Sequence, residues 1–246
     1  MACRIRLALT LVLLCAFSGN AATALRFGLH YSVPWSFYND AGELDGIEYQ
    51  IVSRIFQLAG LNVEYELHGY SRLLKQFSDK KLDCASPVAI DISGAHYTEA
   101  YLPFEDVAIS LQKAQLSINS VADLRGKRIV AYQQAQNVLG ENFAKAVAES
   151  NYIELAEREL QLELLFSNRV DVVVGERRIS HYLAAKLAPE MLLNTHHLFG
   201  EKYYPAACWR PEFTSLFNQG LAQLRQNGEL ADILMRFNSP VAIIAN

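Results

Sequence analysis

The sequence predicts an α/β protein, and three observations carry that prediction. Segments that alternate apolar and polar residues are followed, along most of the chain, by segments with apolar residues at helical spacing. The composition is 51% apolar, 20% charged and 11% aromatic, which is globular and excludes a disordered, collagen-like or coiled-coil chain. At 246 residues there is material for one large or two medium domains, with no low-complexity stretch or long linker between them.

The elements follow in order. Leu25 to Tyr31 (LRFGLHY) alternates like a strand and runs into a loop containing Pro34. Gly46 to Ala59 sets Ile47, Ile51, Val52, Ile55 and Phe56 on one helical face, with Gly60 closing it. Asn62 to Leu67 alternates again, Tyr70 to Phe77 reads as a short helix, and Leu82 to Ser86 as a strand. This βαβαβ opening is the signature of a sheet layered with helices. An extended piece, Val107 to Leu111, leads to turn residues at Asn119-Ser120 and then to a second run. That run is strand Arg128 to Tyr132, helix Val138 to Glu149, strand Tyr152 to Leu155, helix Glu157 to Phe166, buried strand Val170 to Gly175 and helix Arg178 to Leu187. Tyr204 to Trp209 is strand-like, and helices Pro211 to Gln226 and Glu229 to Phe237 are divided by Asn227-Gly228.

Residues 1–24 read as a secretory leader. Arg4 and Arg6 form the positive start, Leu7 to Phe17 an eleven-residue apolar run, and Ala22-Thr23-Ala24 a small-residue cleavage site. The run is far short of the ~20 residues a bilayer span needs, so the expected product is exported and soluble. The leader takes two of the 22 Lys+Arg and none of the 26 Asp+Glu, which leaves the mature chain at −6. A mildly acidic chain with no basic run has no footprint for nucleic acid. Cys3 and Cys15 leave with the leader. Cys84 and Cys208 remain, either as two buried thiols or as one disulfide in a compartment that permits it.

The order of segments, together with four local motifs, resembles the bacterial extracellular solute-binding proteins of family 3, the amino-acid type. The motifs are Pro34-Trp35-Ser36-Phe37 with Asp40 to Tyr49, Lys81-Leu82-Asp83, Ser120 to Ile129 (SVADLRGKRI), and Arg169 to Glu176 (RVDVVVGE). The third is close to the family's "s-x-x-D-L-x-G-K-x-V", the fourth to its "V-D-A-V-V-x-D", and the match covers essentially the whole mature chain. The resemblance implies a two-lobed type II periplasmic-binding fold: two α/β sheet domains joined by two crossover strands, with ligand in the cleft between. Residues 25–111 plus 200–246 would form lobe one and residues 112–199 lobe two. It also implies that the returning strand runs beside the third strand of lobe one, bringing Cys208 to Cys84 as a disulfide.

Ligand capture in this family uses aromatic walls, donors at a helix start, and charged side chains that pair with the ligand's own charges. Carried over by position, the resemblance points to Tyr31 and Trp35 about the first-loop aromatic, and to Tyr70 before the second helix of lobe one. Ser86 stands where family members often have a small hydroxyl residue. Gln136 and Asn137, in Gln133 to Asn137 (QQAQN), replace the usual Gly-Ser-Thr-like anion loop, with Asn137 also a helix N-cap. Glu176 takes the place of the Asp that accepts the ligand's ammonium. One departure stands out: Ala89 to His96 lacks the Thr-x-x-Arg whose guanidinium grips an α-carboxylate. Arg72 or Arg177 are the substitutes the sequence offers.

The leading expectation is therefore a monomeric, non-catalytic periplasmic receptor for a small polar solute, an amino acid or a related amine or organic compound. It would deliver that solute to an ABC transporter permease or a membrane sensor. Two alternatives stand beside it: a cyclohexadienyl-type dehydratase with Glu176 as general acid, and a sensor or interaction module whose cleft no longer binds. No nucleophile elbow, Gly-rich phosphate loop or Cys-x-x-Cys motif is present, so no cofactor is expected. Only His196-His197 are adjacent among the histidines, which reads as a surface turn rather than a metal site.

Overall fold

The computed structural model describes residues 24–237, and the leader reading falls outside them apart from its last residue. In chain order the elements are β1 (Leu25–His30), β2 (Phe37–Tyr38), β3 (Leu44–Asp45), α1 (Ile47–Leu58), β4 (Val63–His68), α2 (Tyr70–Ser78), β5 (Cys84–Ser86), β6 (His96–Tyr97) and β7 (Leu102–Leu111). Then come β8 (Arg128–Ala131), α3 (Ala135–Leu139), α4 (Glu141–Ala148), β9 (Asn151–Glu154), α5 (Arg158–Phe166), β10 (Val172–Glu176) and α6 (Arg177–Leu187). The chain closes with β11 (Leu193–His196), β12 (Glu201–Tyr204), β13 (Ala207–Cys208), α7 (Pro211–Asn227) and α8 (Glu229–Arg236). None of the described helices is long and apolar enough to cross a membrane.

Two sheets result. The first has the order β4-β1-β5-β13-β6, with β1 parallel to β4 and β5, and β13 antiparallel to β5. Its core packs Phe27, Leu29, Ile51, Ile55 and Phe56 against Phe217 and Leu221 of α7. The approach of α1 to α7 is close enough that a Cβ on Gly220 would lie 2.8 Å from Ile55 Cγ2. On the other face α2 buries Leu73 and Phe77, and Phe77 stacks on Trp209 at 4.7 Å. Cys208 stands opposite Cys84 in the β13–β5 pairing, and their sulfurs form a disulfide of 2.06 Å.

The second sheet has the order β11-β7-β10-β8-β9, with β12 also paired to β7. β10 is parallel to β8 and antiparallel to β7. All five of its residues are buried, because helices cover both faces: Val172 and Val174 pack with Phe143 of α4, Val173 with Leu165 of α5. The single helix expected over Val138 to Glu149 is two helices broken at Gly140, whose φ of 86° is left-handed. The strand-like stretch Tyr204 to Trp209 is likewise two strands, one in each sheet.

Two long connections join the lobes. β7 leaves the first lobe, pairs with β12 over Leu102 to Glu105, and continues to Leu111 between β10 and β11. The part of this strand from Asp106 onward therefore pairs within the second sheet, although a division at Leu111 assigns it to the first lobe. The physical reason is length: ten residues reach from the crossover ribbon into the far sheet, and its carbonyls and amides find partners there.

The loop before α1 is built by that helix. No side chain caps α1. Instead its first N–H groups donate to loop carbonyls, Ile47 to Pro34 at 2.9 Å and Glu48 to Trp35 at 2.7 Å. The approach requires Gly46, with φ 119°, because a Cβ there would lie 2.3 Å from the Trp35 carbonyl oxygen. The same contact holds residues 31–38 against the second lobe, where Val33 packs with Leu183 and Phe37 lies 5.9 Å from Tyr182.

Candidate ligand-binding cleft

A cavity of about 1370 Å³ opens between the lobes. The first lobe contributes His30, Tyr31 and Phe37, the crossover strands Phe104, Asp106 and Tyr204, and the second lobe Tyr132, Arg158, Glu176 and Tyr182. Aromatic rings with a few convergent charged groups are the usual lining of a small-molecule site.

Glu176 is the best-placed of these. It ends β10 and is the N-cap of α6, where its Oε2 accepts a hydrogen bond of 2.8 Å from the Ile179 N–H. Its other oxygen, Oε1, is buried with no partner. Burial pushes the carboxyl up to about 7, against the Ile179 N–H and the charges of Arg178 and Arg177, which pull it down. Asp106 also faces the cleft. It accepts from the Tyr132 hydroxyl at 3.2 Å and is raised by burial. Arg158 lies over the Tyr132 ring with its guanidinium carbon 4.9 Å from the centroid, and its Nη1 is buried without a hydrogen-bond partner. His30 is held neutral, at about 4, first by burial and then by the Arg158 charge.

The residues expected from sequence fall into two groups. Tyr31, 55% exposed, and Glu176 line the cleft. The others do not. Trp35 is 1% exposed and belongs to the first-lobe core, stacked on Phe104 at 4.4 Å and with the Arg178 guanidinium carbon over its ring, 5.2 Å from the centroid. Ser86 is buried and shares a hydrogen bond of 2.7 Å with the Tyr101 hydroxyl, which itself donates to Glu48 at 3.4 Å. Ser86 falls on the same face of β5 as Cys84, and that face is core. Tyr70 accepts from the Ala89 N–H at 3.2 Å and meets His30 edge-on at 5.4 Å, so it supports a cleft residue from behind. Gln136 and Asn137 are exposed on α3, which turns Val138 and Leu139 to the cavity instead. Asn137 is not an N-cap, since α3 begins after Gln134.

The two substitutes for the missing arginine are not among the residues that line the cavity. Arg72 is exposed on α2, and Arg177 pairs with Glu105 at 2.8 Å. Arg158, Asp106 and Tyr132 were not singled out in the sequence. Tyr132 ends a recognisable strand, but Arg158 between Glu157 and Glu159 reads as an ordinary solvated helix start. Among the described residues no three His, Cys, Asp or Glu side chains gather as a metal site.

Comparison with known proteins agrees with this architecture. The family profile of the bacterial extracellular solute-binding proteins, family 3, matches residues 25–240. A Haemophilus influenzae protein named as an amino-acid ABC transporter-binding protein is 24% identical over 209 residues, covering 81% of this chain and 78% of its own. A Shewanella frigidimarina protein named as a sensor is 26% identical over 215 residues, 85% of this chain; that match spans only 32% of the sensor's length. Among solved structures, the GluR0 ligand-binding core in complex with L-glutamate superposes with a TM-score of 0.71 at 19% identity. The superposition covers 88% of this chain and 99% of that one. The two sheets, the paired crossover strands and the cleft between them are thus those of a type II periplasmic binding protein. With the profile spanning nearly all of the described residues, the chain belongs to the bacterial extracellular solute-binding proteins, family 3.

Proposed function

We propose that the cleft binds an amino acid or a closely related amine-bearing solute, and that Glu176 accepts its ammonium group. The observation that carries this reading is the buried Glu176 carboxyl in the cleft wall, with one oxygen satisfied by the α6 N-terminus and the other without a partner. A buried acceptor without a donor is costly, and a cationic donor from the ligand relieves that cost. Asp106 supplies further negative charge beside it, and Tyr31, Phe37 and Tyr182 supply apolar walls. The cleft binds without transforming its ligand, and closure of the lobes is the signal read by a partner.

On the same reading the chain is an exported periplasmic monomer, divided between residues 25–111 with 200–246 and residues 112–199, apart from the run of β7 into the second sheet. Its partner is an ABC importer or a membrane sensor, the two roles for which the Haemophilus and Shewanella relatives are named.

A thermal-shift screen of residues 25–246 against amino acids, polyamines and organic acids tests the ligand class. At 100 times its Kd a ligand stabilises by ~2.7 kcal/mol, which raises Tm by roughly 5–10 °C for a chain of this size. A shift confined to amine-bearing compounds supports the reading. A shift confined to organic acids without an amine, or turnover of a cyclohexadienyl acid, overturns it.

A further inference from the structure

The guanidinium that the sequence lacks after the third strand of the first lobe has a counterpart on the opposite wall of the cleft. Arg158 is the first residue of α5 and lines the cavity from the second lobe. Its Nη1 is buried and makes no hydrogen bond, although burial there costs a cationic donor more than any neutral one. A Cβ on Gly175 would lie 3.9 Å from that nitrogen, so the guanidinium sits beside the end of β10, next to Glu176. The Tyr132 ring lies underneath it; burial lowers its pKa, and the negative charges of Asp106 and Glu176 oppose that shift. A planar, oriented, desolvated guanidinium with free donors is the preferred partner of a carboxylate, which it grips with two parallel hydrogen bonds.

We propose that Arg158 is the carboxylate-binding residue of this cleft. Its ligand is therefore a zwitterion whose carboxylate and ammonium are both held by the second lobe and the strand leading into it. The inference rests on the amine-binding reading for its second half only. The carboxylate contact is independent of it. The first lobe then contributes aromatic surface through Tyr31 and Phe37 rather than an ion pair.

The test follows the arginine Nε–H signals of ¹⁵N-labelled protein, with the Arg158 signal assigned by its loss in Arg158→Lys. Three probes of one shape are titrated to tens of millimolar: L-phenylalanine, 3-phenylpropanoate without the amine, and phenethylamine without the carboxylate. The expected result is that phenylalanine and 3-phenylpropanoate move the Arg158 signal and phenethylamine does not. Arg158→Gln should weaken the two carboxylates roughly ten- to a hundredfold and should not weaken phenethylamine, because it removes a positive charge from beside Asp106 and Glu176. Arg158→Lys, which keeps the charge and loses the fork, should fall between, and circular dichroism checks that both variants are folded. Movement of the signal by 3-phenylpropanoate alone upholds the anchor while the amine reading fails. A carboxylate that binds with Arg158 silent, or no response of that signal to either carboxylate, overturns the proposal.

Discussion

Glu176 stands directly opposite Asp106 in the antiparallel pairing of β10 with β7. Residues opposed in this way project from the same face of the sheet, so the two carboxyl groups share one end of the cleft. One is carried by the last residue of a second-lobe strand and the other by the strand that joins the lobes. Burial raises both. Two carboxyls in one poorly solvated place repel when both are ionised, and a cation between them removes that repulsion. The pairing therefore places the charge that faces the cleft on the crossover that joins the lobes.

Stability in the absence of ligand should fall as pH rises. Glu48 and Glu176 are each raised from 4.5 to about 7, chiefly by burial. Between those values the unfolded chain has lost the proton that the folded chain still holds, so a rise in pH favours unfolding. Each group contributes about 3 kcal/mol across that window. Urea melts at pH 5 and pH 8 measure the loss, and Glu48→Gln should remove about half of it. A melt insensitive to pH contradicts the burial of these groups.

Ser86→Ala should destabilise the protein without weakening ligand binding. The hydroxyl lies in a buried chain from Ser86 through Tyr101 to Glu48 and Ser36, the last link being 3.2 Å. Its removal leaves Tyr101 short of a partner, at a cost of about 1–2 kcal/mol. A fall in affinity with an unchanged melt would put Ser86 in the cleft after all.

Loss of the Cys84–Cys208 disulfide should lower stability by about 2–5 kcal/mol, or about 5–15 °C in Tm. The bridge spans 124 residues and so encloses the whole second lobe. Both sulfurs belong to fully buried residues, so thiol titration of folded residues 25–246, which lack Cys3 and Cys15, should give none free, and reductant should act only as the chain unfolds. Two free thiols in the folded, unreduced chain of residues 25–246 would contradict the pairing.

The parts of the fold legible in the sequence are those fixed by local periodicity. The apolar positions Ile47, Ile51, Val52, Ile55 and Phe56 form the buried stripe of α1, and the run at Val172 forms a strand buried on both faces. Elements fixed by their neighbours were not legible. β6 and β13 are two residues each and are defined by the strands they pair with, β13 lying between β5 and β6, and β7 hides its length behind Pro103 and the acidic pair Glu105-Asp106. The site divides the same way. Glu176 follows a recognisable strand, whereas Arg158 becomes a cleft residue only because α5 begins beside the end of β10. Ser86 and Trp35 were expected in the cleft because of where they stand along the chain, and the packing of Tyr101 and Phe104 assigns them to the core.

The central claim is that the Glu176 carboxylate receives the ligand's ammonium, and calorimetric titration near pH 7 tests it most directly. With the carboxyl raised to about 7, binding of an ammonium must release a fraction of a proton. The apparent enthalpy for an amino acid identified in the screen should therefore differ between phosphate and Tris buffers. Glu176→Gln should abolish that difference and weaken binding roughly ten- to a hundredfold. Equal enthalpies in the two buffers, with Glu176→Gln binding as tightly as the wild type, would contradict the claim.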